Sequence, residues 1–273
     1  MNRLVFDSDM PKICVPIVGQ TEAEIIKVAK ELRKSIADLI EWRADFFQGI
    51  SDVGLVKGLL RKLREALGDK RLLFTLRTAS EGGEISPSFE EYAEILRHAV
   101  NTECVDYVDV EMFWGYRTQD APSAFYDNCA IKLPEDIAKE PCHISVRNLV
   151  QELKGKADVI GSYHDFAKTP HGEEITKRLL VMKNMGASIT KIAVMPQSKK
   201  DVLQLMTATL HAKEAMPDTP VISMSMGALG AVSRVAGANF GSAVTFGCCG
   251  ETSAPGQIPV EELYDIMEKL RID

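Results

Sequence analysis

Lys191 lies inside a β-branched run, Thr190-Lys191-Ile192-Ala193-Val194-Met195, and it carries the strongest chemical consequence in this 273-residue chain. Burying an ammonium costs several kcal/mol unless something compensates it. Such a lysine is either paired or used as an amine of depressed pKa, the usual activation of a Schiff-base lysine. Spacing alone leaves both uses open. His164 closes the apolar run before Asp165-Phe166. An imidazole there can take and return a proton near neutral pH, although a lone histidine also serves as a structural residue.

Other charged residues follow short apolar runs in the same way. Glu41-Trp42-Arg43-Ala44-Asp45 places Glu41, Arg43 and Asp45 on one face of a strand. They form either a charge cluster that fixes register or a polar wall for a hydroxylated or anionic ligand, with each other as the simplest partners. Phe74-Thr75-Leu76-Arg77 runs into Glu81-Gly82-Gly83-Glu84, an arginine followed by glycines that permit close backbone approach. That arginine suits an anion or a scaffold ion pair. Arg234 follows Ser225-Met226-Gly227, and Ser253 and Gln257 offer hydrogen-bonding groups near the C-terminus.

The elements that must hold these residues alternate regularly. Strand candidates span residues 12–18, 38–43, 72–77, 105–111, 158–164, 190–195, 221–225 and 243–247. Most are apolar on both parities, as for strands covered on both faces. Amphipathic runs lie between them. Thr21 with Glu24 predicts a capping box, followed by Ile25, Ile26, Ala29, Leu32 and Ile36 on one helical face. Similar stripes are Val53/Val56/Leu59/Leu60/Leu63/Leu67, Tyr92/Ile95/Leu96/Ala99, Ile175/Leu179/Met182 and Val202/Leu205/Met206/Thr209. Residues 145–154 supply a fourth helix and 260–270 the last. Eight strand–helix units predict an α/β fold, a single-domain (β/α)8 TIM barrel over residues 1–273, whose chemistry gathers at the C-terminal strand ends. An extended connection of about 113–143 exceeds what one βα unit needs, and a short helix is expected near 134–138.

A net charge of −7 argues against nucleic-acid or anionic-membrane surfaces, yet leaves room for a locally positive cleft. The six cysteines show no metal-ligand or redox spacing and read as reduced, mostly packed thiols. The N-terminus has no apolar leader-like run, so a cytoplasmic protein is expected.

In order along the chain, six runs resemble the type I 3-dehydroquinate dehydratases. They are Glu41-Trp42-Arg43-Ala44-Asp45; Phe74-Thr75-Leu76-Arg77 with Glu81-Gly82-Gly83-Glu84; Tyr163-His164-Asp165-Phe166 with Lys168-Thr169-Pro170; Lys191-Ile192-Ala193-Val194-Met195-Pro196-Gln197; Ser225-Met226-Gly227 through Ser233-Arg234; and Ser253-Ala254-Pro255-Gly256-Gln257. The resemblance covers nearly the whole chain. It implies dehydration of 3-dehydroquinate to 3-dehydroshikimate through an imine on Lys191. His164 is then the proton shuttle, and Glu81 the carboxylate that orients it. Arg234 matches the arginine that binds the substrate carboxylate. Glu41, Arg43, Arg77, Ser253 and Gln257 match positions that hold the substrate and close the site. No metal or organic cofactor is implied, and a homodimer is. Ala228 departs from the polar or basic residue common there. A class I aldolase-type lyase would also use a barrel lysine, but calls for a phosphate-binding loop that 253–257 does not resemble. A non-catalytic small-molecule-binding barrel would have lost Lys191 or His164, and both are present.

Overall fold

The computed structural model describes residues 6, 10–114, 141–250 and 254–271, with the side chains of 141–143 excepted. Eight parallel strands form the sheet: β1 (Lys12–Ile17), β2 (Leu39–Arg43), β3 (Arg71–Thr75), β4 (Tyr107–Glu111), β5 (Asp158–Asp165), β6 (Ile189–Val194), β7 (Val221–Ser225) and β8 (Val244–Cys248). Their order is sequential from β1 to β7, with β8 beside β1. The ring closes between β7 and β8, where the Ala243 N–H donates to the Val221 carbonyl at 2.7 Å. The Ser223 N–H donates to the Ser242 hydroxyl across the same seam at 3.1 Å. This is the expected (β/α)8 barrel. A two-residue β9 (Ile258–Pro259) adds to β8 beyond the ring and was too short to read from the sequence.

The helices are α1 (Glu22–Leu32), α2 (Val53–Leu67), α3 (Phe89–Val100), α4 (Pro141–Leu153), α5 (Gly172–Asn184), α6 (Lys199–Ala215), the one-turn α7 (Ala231–Val235) and α8 (Val260–Lys269). Thr21 and Glu24 form the expected capping box on α1. Ser88 with Glu91 repeats the device on α3. Each helix lays its apolar stripe on the sheet, so Leu59, Leu63, Leu96 and Leu179 are fully buried between layers. Two expectations are corrected. Ile36 lies beyond the end of α1 and is exposed, because the helix stops at Leu32. The fourth helix begins at Pro141 rather than at 145, a proline being well suited to a first turn. The connection of about 113–143 lies for the most part outside the described residues, as does the short helix expected near 134–138. Among the described residues no helix is long and apolar enough to cross a membrane.

The residues facing the barrel axis change character along each strand, and this change makes the site. Near the strand starts, Leu39, Leu73, Tyr107, Ile160, Ile189 and Val244 form an apolar plug. Two or four residues onward, the same parity brings Glu41 and Arg43, Asp109 and Glu111, Ser162 and His164, and Lys191. The outward parity is mostly apolar, with Ile40, Trp42, Phe74, Val108, Val110, Ile192 and Val194 against the helices. Cys14, Cys104 and Cys248 are free and buried, and Cys249 is free and exposed. Cys129 and Cys142 lie outside the described side chains.

Candidate active site

The β5–β6 register sets Ser162 beside Lys191, and the β4–β5 register sets Glu111 beside Ser162. Lys191 is 3% exposed. Its Nζ lies 3.3 Å from Asp109 Oδ2, 3.7 Å from Glu41 Oε1 and 4.7 Å from the centre of the Phe246 ring. The nearest charges to this amine are carboxylates, and two of the arginines that line the cleft are themselves engaged. Arg43 forms a two-pronged pair with Asp45 at 2.8 and 2.7 Å. Glu41 does not join that pair, and instead accepts from the Thr75 hydroxyl at 2.8 Å.

Arg77 lies two residues beyond β3 and is the hub of the buried polar network. It donates to Asp109 at 2.8 Å, to Glu111 at 3.0 Å and to the Ser162 hydroxyl at 3.1 Å, with Glu81 at 3.5 Å. Glu111 also accepts from the Thr78 N–H at 2.8 Å and the Thr78 hydroxyl at 2.7 Å. Reasoning from sequence passed over Asp109, Glu111 and Ser162. The period-two spacing that singled out Glu41, Arg43 and Asp45 was equally present in Asp109-Val110-Glu111.

The His164 ring Nδ1 is 2.9 Å from Glu81 Oε2, and that oxygen also accepts the His164 backbone N–H at 3.0 Å. An oxygen that accepts the backbone proton is placed to accept from the ring as well. This pattern assigns the proton to Nδ1 and leaves Nε2 as the free base. Burial, then Arg77, Lys191 and Arg43, hold the His164 pKa well below the ordinary imidazole value. Burial and the neighbouring Glu111 push Glu81 up, against the pull of Arg77. The glycines after Glu81 make this approach possible. Gly82 has φ +85°, and a Cβ on Gly83 would sit 2.1 Å from the Arg77 carbonyl oxygen. Nitrogen NMR of the labelled protein is expected to find His164 neutral with Nδ1 protonated at about pH 6.5, where a free imidazole is half charged. Because the shift is downward, titration begins only below that pH. A midpoint at or above the free value contradicts the assignment.

Arg234, from α7, is 1% exposed. It donates to the Phe246 carbonyl at 3.3 Å and the Pro255 carbonyl at 3.0 Å. Its Nε has no hydrogen-bond partner, and among the described residues no carboxylate pairs with it. Burial lowers its pKa to about 10. A buried guanidinium held by two carbonyls and the Met224 sulfur, with no carboxylate beside it among the described residues, has the chemistry to receive an anion. The loops holding it are laced together, with the Gly227 N–H donating to Pro255 at 3.2 Å. A Cβ on Gly256 would lie 2.5 Å from the Gly227 carbonyl oxygen.

One cleft of about 480 Å³, its open mouth included, is lined by Lys191, His164, Glu81, Glu41, Arg43, Arg77, Arg234 and Gln257. Eight of the nine residues singled out from sequence therefore converge, and Ser253 lies outside the described residues. Phe166, Ala193, Met224, Met226, Phe246 and Ala254 complete the wall. The polar groups facing an apolar wall give this cleft the means to orient a small molecule.

The sequence model of the type I 3-dehydroquinase family matches residues 13–273. The chain belongs to that family. It is 42% identical over 270 residues to the 3-dehydroquinate dehydratase of Clostridioides difficile (strain 630), covering 99% of this chain and 96% of that one. It is 39% identical over 261 residues to the 3-dehydroquinate dehydratase of Bacillus subtilis (strain 168), covering 96% and 92%. The crystal structure of a type I 3-dehydroquinate dehydratase from Clostridium difficile, solved with covalent modified comenic acid, superposes with a TM-score of 0.82 at 41% identity over 96% of this chain and 92% of that one. The 3-dehydroquinate dehydratase of Enterococcus faecalis gives 0.82 at 34% identity, covering 98% and 97%. In this type I 3-dehydroquinase, Lys191, His164 and Arg234 thus share one cleft.

Proposed function

We propose that this protein dehydrates 3-dehydroquinate to 3-dehydroshikimate, as a hydro-lyase of the shikimate or quinate pathway, through an imine on Lys191. The observation that carries this reading is the meeting of Lys191 in one cleft with a His164 oriented by Glu81. The lysine amine condenses with the substrate ketone and releases one water. The resulting iminium draws electrons from the adjacent C2, so its proton becomes removable by His164 Nε2. The electron pair then expels the C1 hydroxyl, which takes that proton from His164 and leaves as water. Hydrolysis of the product imine consumes one water and restores Lys191, so the net change is loss of a single water. No cofactor is needed to balance these steps.

In this reading Glu81 holds His164 in the reactive tautomer. Arg234 takes the substrate carboxylate, which supplies the missing partner of its buried Nε. Glu41, Arg43, Arg77, Gln257 and Ser253 hold the hydroxyls and close the mouth. Arg77 has a second duty, since its guanidinium also holds Asp109 and Glu111. Cytoplasmic residence, in keeping with the reduced cysteines, and a homodimer, implied by the family resemblance, are further parts of this reading.

Mixing the protein with 3-dehydroquinate should produce the ultraviolet absorbance of an unsaturated ketone. No absorbance with folded protein overturns the reading. In the same assay Arg234→Ala is expected to lose a charge-assisted bond of roughly 1.5–3 kcal/mol, about 10- to 150-fold in kcat/KM. Unchanged kinetics would remove Arg234 from the substrate.

A further inference from the structure

We propose that Asp109 is the counter-ion of the Lys191 nitrogen in its imine, keeping that nitrogen protonated while the neighbouring carbon gives up its proton. The inference rests on the imine chemistry proposed above and assigns a duty to a residue outside the matched motifs.

The geometry separates Asp109 from the other carboxylate near the amine. Asp109 is 1% exposed and is not part of the cleft wall, whereas Glu41 is. Its Oδ1 is already taken, by Arg77 at 2.8 Å and by the Ser162 hydroxyl at 2.6 Å. Its Oδ2 is directed at Lys191 Nζ, at 3.3 Å. Asp109 therefore addresses the nitrogen from behind, where a substrate attached to that nitrogen would not displace it. Glu41 is farther, at 3.7 Å, and faces the space the substrate fills.

The charge balance favours the same residue. An ammonium and an iminium place one positive charge and at least one N–H on the same atom. The ion pair of the resting site thus carries over when amine and ketone condense and water leaves. Asp109 stays a carboxylate throughout, and nothing is oxidised or reduced. The charged and titratable groups around Lys191 come from several elements. Cys14 on β1 and Glu41 on β2 stand beside it, and His164 on β5 feels its charge together with those of Arg77 and Arg43. Arg234 lines the same cleft from α7. The arginines oppose a cation at Nζ, and the two carboxylates favour it. Asp109 is the nearer, and Arg77 and Ser162 hold it ionised and aimed.

The test is the rate of reductive capture by cyanoborohydride, which reduces the protonated imine, measured against pH with 3-dehydroquinate present. Asp109→Asn should move the whole profile toward lower pH by roughly 1–3 units. Capture becomes faster than wild type on the acid side, because the amine loses its proton more readily. It becomes slower on the alkaline side, because the imine does the same. Asp109→Glu should recover part of the displacement, and Glu41→Gln should move the profile less. A merely structural role lowers capture at every pH without moving the midpoints, and that result overturns the proposal. A larger displacement in Glu41→Gln than in Asp109→Asn also overturns it. A wild-type protein that gives no adduct at all refutes the imine reading instead, so the two failures are distinct. Should Asp109→Asn not fold, infrared spectra of the imine held by His164→Ala decide the matter. At about pH 8 the C=N stretch should still shift between H2O and D2O. Absence of that shift overturns the proposal.

Discussion

Replacing Lys191 with alanine is expected to stop dehydration of 3-dehydroquinate, with a loss of at least about 10⁴-fold in kcat, the scale on which removal of a covalent nucleophile acts. Among the described residues the site offers no substitute, since Lys191 is the lysine that lines the cleft. Without the iminium, His164 would have to remove a proton from a carbon next to an unactivated ketone. The protein should survive the change. Asp109 keeps Arg77 and Ser162, and Glu41 keeps Thr75. The stability cost therefore falls below the roughly 3–5 kcal/mol seen when a buried pair leaves one charge stranded. Steady-state rates and a thermal melt on the same sample separate lost chemistry from lost fold. A folded Lys191→Ala protein working at the wild-type rate refutes the mechanism.

The second large effect is expected at His164. His164→Ala should lower kcat by roughly 10²- to 10⁴-fold, the usual contribution of a positioned acid–base group. It differs from the lysine variant in what survives. The amine is untouched, so imine formation continues, if more slowly, and a covalent adduct builds up behind the blocked proton transfer. Quenched samples examined by intact mass should show that adduct as the main species while product appears slowly. Normal turnover in this variant would move the acid–base role elsewhere, with Glu81 the first candidate, since it stands 2.9 Å from the imidazole.

Much of the barrel was legible because its signals are local. A strand covered on both faces reads as an unbroken apolar run, and a helix lying on it reads as a stripe with a cap. Thr21 with Glu24 and the Val56-to-Leu67 stripe are found as expected. Ile36 was misplaced because periodicity alone does not show where a helix stops, and Arg33 to Ile36 contain no breaker. The residues of the cleft were legible as types at strand ends. Their partners were not, for a physical reason. Lys191 and Asp109 are separated by 82 positions and meet only through the registers of β4, β5 and β6. Sequence shows that a buried lysine needs a partner, and only the register selects which carboxylate supplies it. The same holds for Arg77. Its place after an apolar strand left an anion site and a scaffold ion pair open, and Asp109, Glu111 and Glu81 surround it. Arg234 shows the converse. Its lack of a carboxylate partner among the described residues is invisible in sequence, and it sets Arg234 apart from the arginines paired within the scaffold.

Borohydride reduction during turnover tests the central claim most directly, because it converts a transient imine into a stable secondary amine. Protein treated with borohydride in the presence of 3-dehydroquinate should gain the mass of one reduced adduct and lose activity in proportion. Peptide mapping should place the adduct on Lys191, and Lys191→Ala should gain nothing. A wild-type protein that turns substrate over yet gains no mass, or carries its adduct on another lysine, contradicts the account.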